Sequence, residues 1–264
     1  MSARFNDKVV IITGSSAGIG QAAALDFGKE GASVVIHGQN AERLDKTESI
    51  LLEAGVVSEK ILKVLGSLED PDTASKIINQ TVQKFGKIDV LVNNAGAGSK
   101  PQEMNPDSLD NLDFIYKVNY RSVVALTQLA LPYLEKTKGN VVNVSSVAGQ
   151  RPFHQHTFYA SLKAALDHFT RCYADKFGPK GVRINSVNPG PIRTYIFERT
   201  GVPGIEQKGE EYAIENTSLR RFGESPEVSK IITFLASNDA SYVTGALWVV
   251  DGGMLLKTPE FQLS

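Results

Sequence analysis

The sequence predicts an α/β fold, a single doubly wound domain whose mostly seven-stranded parallel sheet is flanked by helices. Three observations predict it. Short β-branched runs alternate with longer helical patterns along the chain. Several runs are apolar at consecutive positions, as strands covered on both faces must be. No repeat, low-complexity tract or linker divides residues 1–264, so one domain with an irregular insert at about 191–227 is the economical division.

In chain order, the first strand reads over Lys8–Thr13 and the first helix over Gly20–Glu30. Strand Ser33–His37 leads to helix Glu42–Glu53, and strand Ile61–Leu65 to helix Thr73–Phe85. Strand Ile88–Asn93 precedes one long helical pattern over Leu109–Leu134. Strand Asn140–Val144 precedes helix Tyr159–Phe177, and strands Val182–Val187 and Leu247–Val250 complete the seven. Helices of this length between strands imply right-handed crossovers, hence parallel pairing. From Pro191 to about Glu227 the period is lost among Gly201, Pro203, Gly204 and Gly209. A long irregular stretch late in such a sheet suggests a lid over a ligand crevice.

Bulk composition narrows the classes. The chain has 264 residues, long enough to bury a core without a disulfide or metal. A formal net charge of −1, with no basic run, argues against a nucleic-acid partner or a membrane-surface patch. Cys172 is the one cysteine, which excludes an intrachain disulfide; a buried structural thiol is the expectation. The first residues lack a signal-peptide pattern, and no apolar run nears the ~18 residues of a membrane span. A reducing, cytoplasmic location is therefore expected.

Chemistry enters after the first strand, at Gly14-Ser15-Ser16-Ala17-Gly18-Ile19-Gly20. Glycines there permit a tight turn and the close approach of a pyrophosphate, whose charge a helix N-terminus stabilises. The spacing is not the usual Gly-x-Gly-x-x-Gly, so an ordinary βα loop is the alternative, and position on the first strand favours phosphate binding. Tyr159 and Lys163 stand four apart in a helical pattern and share a face. A phenol titrates near ~10, and a neighbouring ammonium should lower that value toward the working range. By itself this pair also fits an ordinary helix surface. Ser145-Ser146 ends the fifth strand, at the edge where such sheets bind ligands; turn formation is the alternative.

Together these pieces resemble the short-chain dehydrogenase/reductase family, along nearly the full length. The matching residues are Thr13-Gly14-x3-Gly18-Ile19-Gly20, Asn93-Asn94-Ala95-Gly96, Asn119, Ser146, Tyr159 and Lys163. Pro189-Gly190 with Thr194, and Asp251-Gly252-Gly253, complete the pattern. Thirteen positions separate Ser146 from Tyr159, as in the family, and this favours Ser146 over Ser145.

The resemblance implies a Rossmann-fold, NAD(P)(H)-dependent oxidoreductase that interconverts a carbonyl and a secondary alcohol, in the sense of a carbonyl reductase. Tyr159 is then the general acid/base, and Lys163 lowers its pKa and binds the nicotinamide ribose. Ser146 polarises the substrate carbonyl, and Asn119 holds a water in a proton relay. Cofactor contacts fall to Gly14, Ser15, Ser16, Gly18, Ile19, Gly20, Gly38, Gln39, Asn40 and Ser67. Asn93, Ala95, Gly96, Pro189, Gly190, Ile192 and Thr194 join them, with Tyr159 and Lys163. No metal is expected.

The pattern departs from the family in places. The stretch His37-Gly38-Gln39-Asn40 carries no carboxylate to repel a 2′-phosphate, which favours NADP(H) and leaves NAD(H) as the alternative. Ala17 and Gln39 stand where NADP-preferring relatives carry a basic residue, leaving Ser15, His37, Asn40 and Arg43 as phosphate partners. Ser67 stands where relatives carry an aspartate toward adenine, and Leu162 where serine is common. The substrate pocket is expected among Ala97–Lys100, Gln150–Phe158 and Tyr195–Tyr212. Phe153, Phe158, Tyr195 and Phe197 would form an apolar wall, and Arg151, His154 and Arg193 would meet a polar or anionic group. Steroids, sugars, quinones, retinoids and 3-oxoacyl thioesters all fit this outline. Relatives form homodimers or homotetramers through helices matched by Leu109–Leu134 and Tyr159–Phe177, and the tail Met254–Ser264 could join that contact. Two other readings differ in class. A non-catalytic cofactor-binding sensor or scaffold would have lost Tyr159, Lys163 or Ser146, and a hydrolase would need a Gly-x-Ser-x-Gly elbow.

Overall fold

The structure, a computed structural model, describes residues 3–194 and 205–258. Seven parallel strands form one sheet in the order β3-β2-β1-β4-β5-β6-β9. They are β1 (Val9–Ile12), β2 (Ser33–Gly38), β3 (Ile61–Leu65), β4 (Val90–Asn93), β5 (Asn140–Val144), β6 (Arg183–Pro189) and β9 (Leu247–Val250). All seven strands read from the sequence are present, with ends moved by up to two residues. Strand order reverses between β1 and β4, and such a switch point opens a crevice beyond the carboxyl ends.

Side-chain alternation sends each central strand into two cores. Val10, Ile12, Val34 and Ile36 pack under α1 (Gly18–Lys29), α2 (Ala41–Glu53) and α8 (Ser225–Ala236), against Phe27, Leu51 and Ile232. Ile11, Val35, Leu91 and Val141 face the other side, under α3 (Pro71–Phe85), α5 (Ser122–Thr137) and α6 (Thr157–Phe177), against Ile77, Leu126 and Phe177. This double coverage explains why Val9-Val10-Ile11-Ile12 carries no polar residue.

Two segments differ from expectation. The pattern over Leu109–Leu134 is not one α-helix: α4 (Leu109–Tyr116) passes through a wide π-helical turn at Lys117–Arg121 before α5 begins. Apolar spacing is nearly the same through such a turn, so periodicity hides it. The stretch expected to be irregular contains α7 (Ile205–Asn216) and a small two-stranded sheet of β7 (Ile192–Arg193) with β8 (Gly223–Glu224). Tyr195, Phe197, the rest of residues 195–204 within the expected lid at about 191–227, and the tail beyond residue 258 lie outside the described residues. Cys172 is exposed, not buried. It follows Lys163 by nine residues on α6, about half a turn round the helix from the buried face. Among the described residues, no helix is long and apolar enough to cross a membrane, and no cluster suits a metal ion.

Candidate active site

The turn after β1 is held from two sides. Gly14 has φ +65°, and a Cβ there would lie 2.8 Å from Ala95 Cα, so only glycine fits against β4's continuation. Asn94 Nδ2 donates to the carbonyls of Thr13 at 2.8 Å and Gly14 at 3.1 Å. The backbone N–H groups of Asn94 and Ala95 donate to Thr13 Oγ1, each at 3.1 Å. Thr13 and Asn94 were quoted in the sequence motifs without a role, and they clamp this turn to β4.

Helix α1 starts at Gly18 with no side chain capping it and no acid in its first turn. Its leading N–H groups are therefore available to an anion. Thr194 approaches from the loop after β6, its Cγ2 3.2 Å from where a Gly18 Cβ would lie. Gly20 begins the buried stretch of α1, and Ile19 packs against the core beneath it. Pro189 ends β6, and Gly190 lies against Asp251, whose carboxylate accepts from the Gly253 and Leu255 N–H groups at 2.8 Å. Ile192 is buried on β7.

At the end of β2 several side chains are committed inside the protein. Ser15 Oγ, fully buried, donates to the Ile12 carbonyl at 2.8 Å and accepts from His37 N at 2.8 Å. His37 Nδ1 accepts from Gly14 N at 3.3 Å while Nε2 faces the Gly66 carbonyl at 3.2 Å. These partners assign the neutral Nε2–H tautomer, and burial lowers the imidazole pKa to about 4. A neutral, buried ring offers no charge to a phosphate, so His37 is a structural residue here. Asn40 Oδ1 caps α2 by accepting from Arg43 N at 2.9 Å. Ser16 packs beside Gly38, and Gln39 Nε2 donates to Ser67 Oγ at 3.3 Å across the ends of β2 and β3.

The second half of the site converges from β4, β5, α6 and the π turn. Asn119 sits in that turn, the kind of helix irregularity often found at functional sites. Its Oδ1 accepts from Ala97 N at 2.8 Å and its Nδ2 donates to Ala97 O at 2.7 Å. A Cβ on Gly96 would meet Asn119 Oδ1 at 3.3 Å and Lys163 Nζ at 3.8 Å, which places this loop beside the lysine. Asn93 turns its side chain into the layer under α5, donating to Thr127 Oγ1 at 3.2 Å and Asn143 Oδ1 at 2.9 Å.

Tyr159 and Lys163 lie in the first two turns of α6, and Lys163 Nζ is 5.5 Å from the phenol ring centroid. Lys163 Nζ donates to the Val144 carbonyl at 2.8 Å. Ser146 stands in extended conformation between β5 and a short 3₁₀ turn, and its hydroxyl accepts from Ala148 N at 3.1 Å. The same hydroxyl faces the Tyr159 phenol, whereas Ser145 Oγ turns inward to the Lys163 carbonyl at 3.2 Å. The structure thus brings Ser146, Tyr159 and Lys163 together, with Asn119 and Gly96 adjoining.

The electrostatics correct one expectation. Burial pushes the Tyr159 phenol above its ordinary value, and the Ser146 hydrogen bond offsets only part of that. Burial also lowers the Lys163 ammonium to about 8, against the opposing pull of the Asp167 carboxylate. A phenol shifted in that direction holds its proton at neutral pH. Arg193 is likewise not a loose cation, since Glu210 and Glu224 hold its guanidinium at 3.1 and 3.3 Å.

The chain as a whole is similar to known proteins. A family model described as enoyl-(acyl carrier protein) reductase covers residues 14–255. A solved short-chain dehydrogenase/reductase of unknown function from Caenorhabditis elegans, with cofactor, superposes with a TM-score of 0.92 at 39% identity, covering 97% of each chain. The chain belongs to the short-chain dehydrogenase/reductase family. It is 36% identical to the 3-oxoacyl-(acyl-carrier-protein) reductase of Thermotoga maritima, covering 96% of this chain and 100% of that protein. It is 30% identical, with a TM-score of 0.87, to the L-sorbose reductase of Gluconobacter frateurii complexed with NADPH and L-sorbose, covering 98% and 100% of the two chains. As a short-chain dehydrogenase/reductase, the chain is an oxidoreductase acting on alcohol and carbonyl groups.

Proposed function

We propose that this protein reduces a small-molecule carbonyl to a secondary alcohol with NADP(H), Tyr159 delivering the proton. The observation that carries the reading is the meeting of half-buried Ser146 and Tyr159 with buried Lys163 at the carboxyl edge of the sheet. The residues present fit a dinucleotide. The uncapped start of α1 suits its diphosphate, and Lys163 Nζ, beside the Gly96 loop, suits its ribose. When bound, the nicotinamide supplies the hydride.

The chain's own residues supply the remainder. Ser146 Oγ donates to the substrate oxygen, polarising it and holding it beside the phenol. Tyr159 is protonated at neutral pH, which is the form a reduction requires. As negative charge develops on the substrate oxygen, the phenol proton moves to it. The Lys163 ammonium stabilises the phenolate left behind. Asn119, next to Lys163 through the Gly96 loop, stands where a proton relay would leave the site.

The absence of a carboxylate at residues 37–40 favours NADP(H). Ser15 and His37 are spent on internal hydrogen bonds, which leaves Arg43, in the first turn of α2, as the cation nearest in sequence to that edge. Exposed Leu109, Tyr116 and Leu129 on α4 and α5 suit a homo-oligomeric contact. The function is tested by following reduced-cofactor absorbance with NADPH or NADH and a panel of carbonyl compounds. Oxidation that requires a particular carbonyl and stops in Tyr159→Phe, with cofactor affinity retained, is the expected result. Undiminished turnover in Tyr159→Phe would overturn the mechanism.

A further inference from the structure

Asp167 lies four residues after Lys163 and eight after Tyr159, so the three share one stripe of α6. It is 4% exposed, and a carboxylate taken from water that far requires compensation. Its Oδ2 accepts from Asn188 Nδ2 at 2.8 Å, its Oδ1 faces Ser186 Oγ at 3.4 Å, and the Ser145 hydroxyl, which donates to the Lys163 carbonyl, adjoins it. Those partners come from β6 and the end of β5, so the carboxylate joins three elements behind the active pair. Asn188 Nδ2 also donates to the Ser146 carbonyl at 3.2 Å, which carries the link to the serine. The 3₁₀ turn after Ser146 closes over this junction: a Cβ on Gly149 would lie 2.8 Å from the Lys163 carbonyl carbon and 3.1 Å from Asp167 Oδ2.

Three neutral hydrogen-bond donors could have been arranged around a neutral amide at this position. A carboxylate differs from an amide in the negative charge it sets one helical turn from the Lys163 ammonium. Around that ammonium, β5 presents the Val144 carbonyl, the Gly96 loop brings Asn119 alongside, and the titratable neighbour on its own helix is Tyr159, whose ring centroid is 5.5 Å away; none of these carries a charge at neutral pH. On the flanks, Tyr120 of the π turn packs on Phe169 further along α6, and Asp113 and Tyr116 belong to α4. His154 and His156 lie in the turn ahead of α6, and Arg183 of β6 is bound to the carbonyls of Leu235, Ser237 and Val243. Asp167 is the carboxylate one helical turn from Lys163 on α6, and its charge favours the ammonium.

We infer that Asp167 is a positioning residue of this enzyme: a buried counter-charge that keeps Lys163 protonated and, through Asn188, ties the lysine's helix to the backbone of Ser146. It touches no reacting atom. Lys163 must carry its charge to stabilise a tyrosinate, yet burial works against that charge; the carboxylate restores part of it from a position a substrate cannot reach. The inference rests on the catalytic reading of Tyr159 and Lys163, but its central test needs neither substrate nor cofactor.

The test is a pH titration of protein labelled with 13Cε-lysine, followed by NMR, with the Lys163 resonance identified by its loss in Lys163→Arg. In Asp167→Asn the Lys163 midpoint should fall by about one pH unit, the scale of one nearby opposite charge. Asp167→Glu should keep the midpoint near that of the unmutated protein. In the unmutated protein the same resonance should show a second, acid inflection where Asp167 protonates. Superimposable Lys163 titrations in the unmutated protein and folded Asp167→Asn would overturn the inference. If Asp167→Asn does not fold, the acid inflection decides alone, and its absence overturns the inference. Where a reducible carbonyl is in hand, the alkaline limb of kcat/KM should move to lower pH in Asp167→Asn by the same amount. A chain that reduces no carbonyl would end the functional reading while the NMR titration still decides the role of Asp167.

Discussion

Replacing Asn119 with alanine separates two roles that this side chain could hold. The family resemblance assigns it a water in a proton relay, whereas the structure shows its amide gripping both backbone groups of Ala97, at 2.8 and 2.7 Å. Asn119 is buried and Ala97 half-buried, so truncation leaves two backbone groups without their partner. Each such loss costs about 1–3 kcal/mol, and partial access of water to Ala97 sets the expected total at roughly 2–3 kcal/mol. For a chain of this size each kcal/mol moves Tm by about 2–4 °C, so Asn119→Ala should melt roughly 5–10 °C lower. Asn119→Asp keeps the acceptor for Ala97 N but turns a second oxygen toward Ala97 O, and it should be no more stable than alanine. The assay is thermal unfolding by calorimetry, without cofactor, at neutral pH. A Tm within about 2 °C of the unmutated protein would show that the amide does not hold this loop, and the structural half of its assignment would fall.

Other outcomes follow from the same geometry. His37 is neutral when folded, with a pKa lowered from 6.5 to about 4, so its contribution is intact above pH 6.5 and is lost as pH falls toward 4. The loss is about 3 kcal/mol, and it should vanish in His37→Gln when Tm is measured across that range; a parallel acid limb in the variant would refute the assignment. Gln39→Arg should tighten NADPH relative to NADH in fluorescence titrations, and an unchanged ratio would show that position 39 does not face the 2′-phosphate. Cys172, exposed on α6, should react with a thiol reagent in the folded protein at one equivalent per chain, and Cys172→Ser should keep its activity. A thiol that reacts only after denaturation would show that this face is covered in solution.

Much of this was legible in the sequence, and what was not has definite physical reasons. A strand run such as Val9–Ile12 announced itself because burial on both faces leaves little room for polar residues. Gly14, Ser146, Tyr159 and Lys163 were found as motif positions because their spacing is local or follows a single strand–helix unit. Asp167 and Asn188 were missed because they stand 21 residues apart on a helix and a strand, where no local pattern joins them. The π turn at Asn119 was invisible to apolar periodicity, and α7 was masked by glycine and charge. The pKa of Tyr159 went the other way because sequence spacing reports the neighbouring ammonium but not the depth of burial. Cys172 was misplaced by residue type alone, although its phase relative to Lys163 on one helix already pointed outward.

The clamp that Asn94 and Thr13 form has a temporal consequence. Thr13 and Asn94 are 81 residues apart in the chain, yet the phosphate turn takes its shape from their hydrogen bonds. A ribosome-bound chain that has released only β1, α1 and β2 carries every glycine of that turn and cannot yet set it. Competence for the dinucleotide must await the long-range docking of β4 beside β1, a slow class of folding event. Appearance of cofactor affinity during refolding should therefore lag behind helix formation and report the closure of the central strand pair.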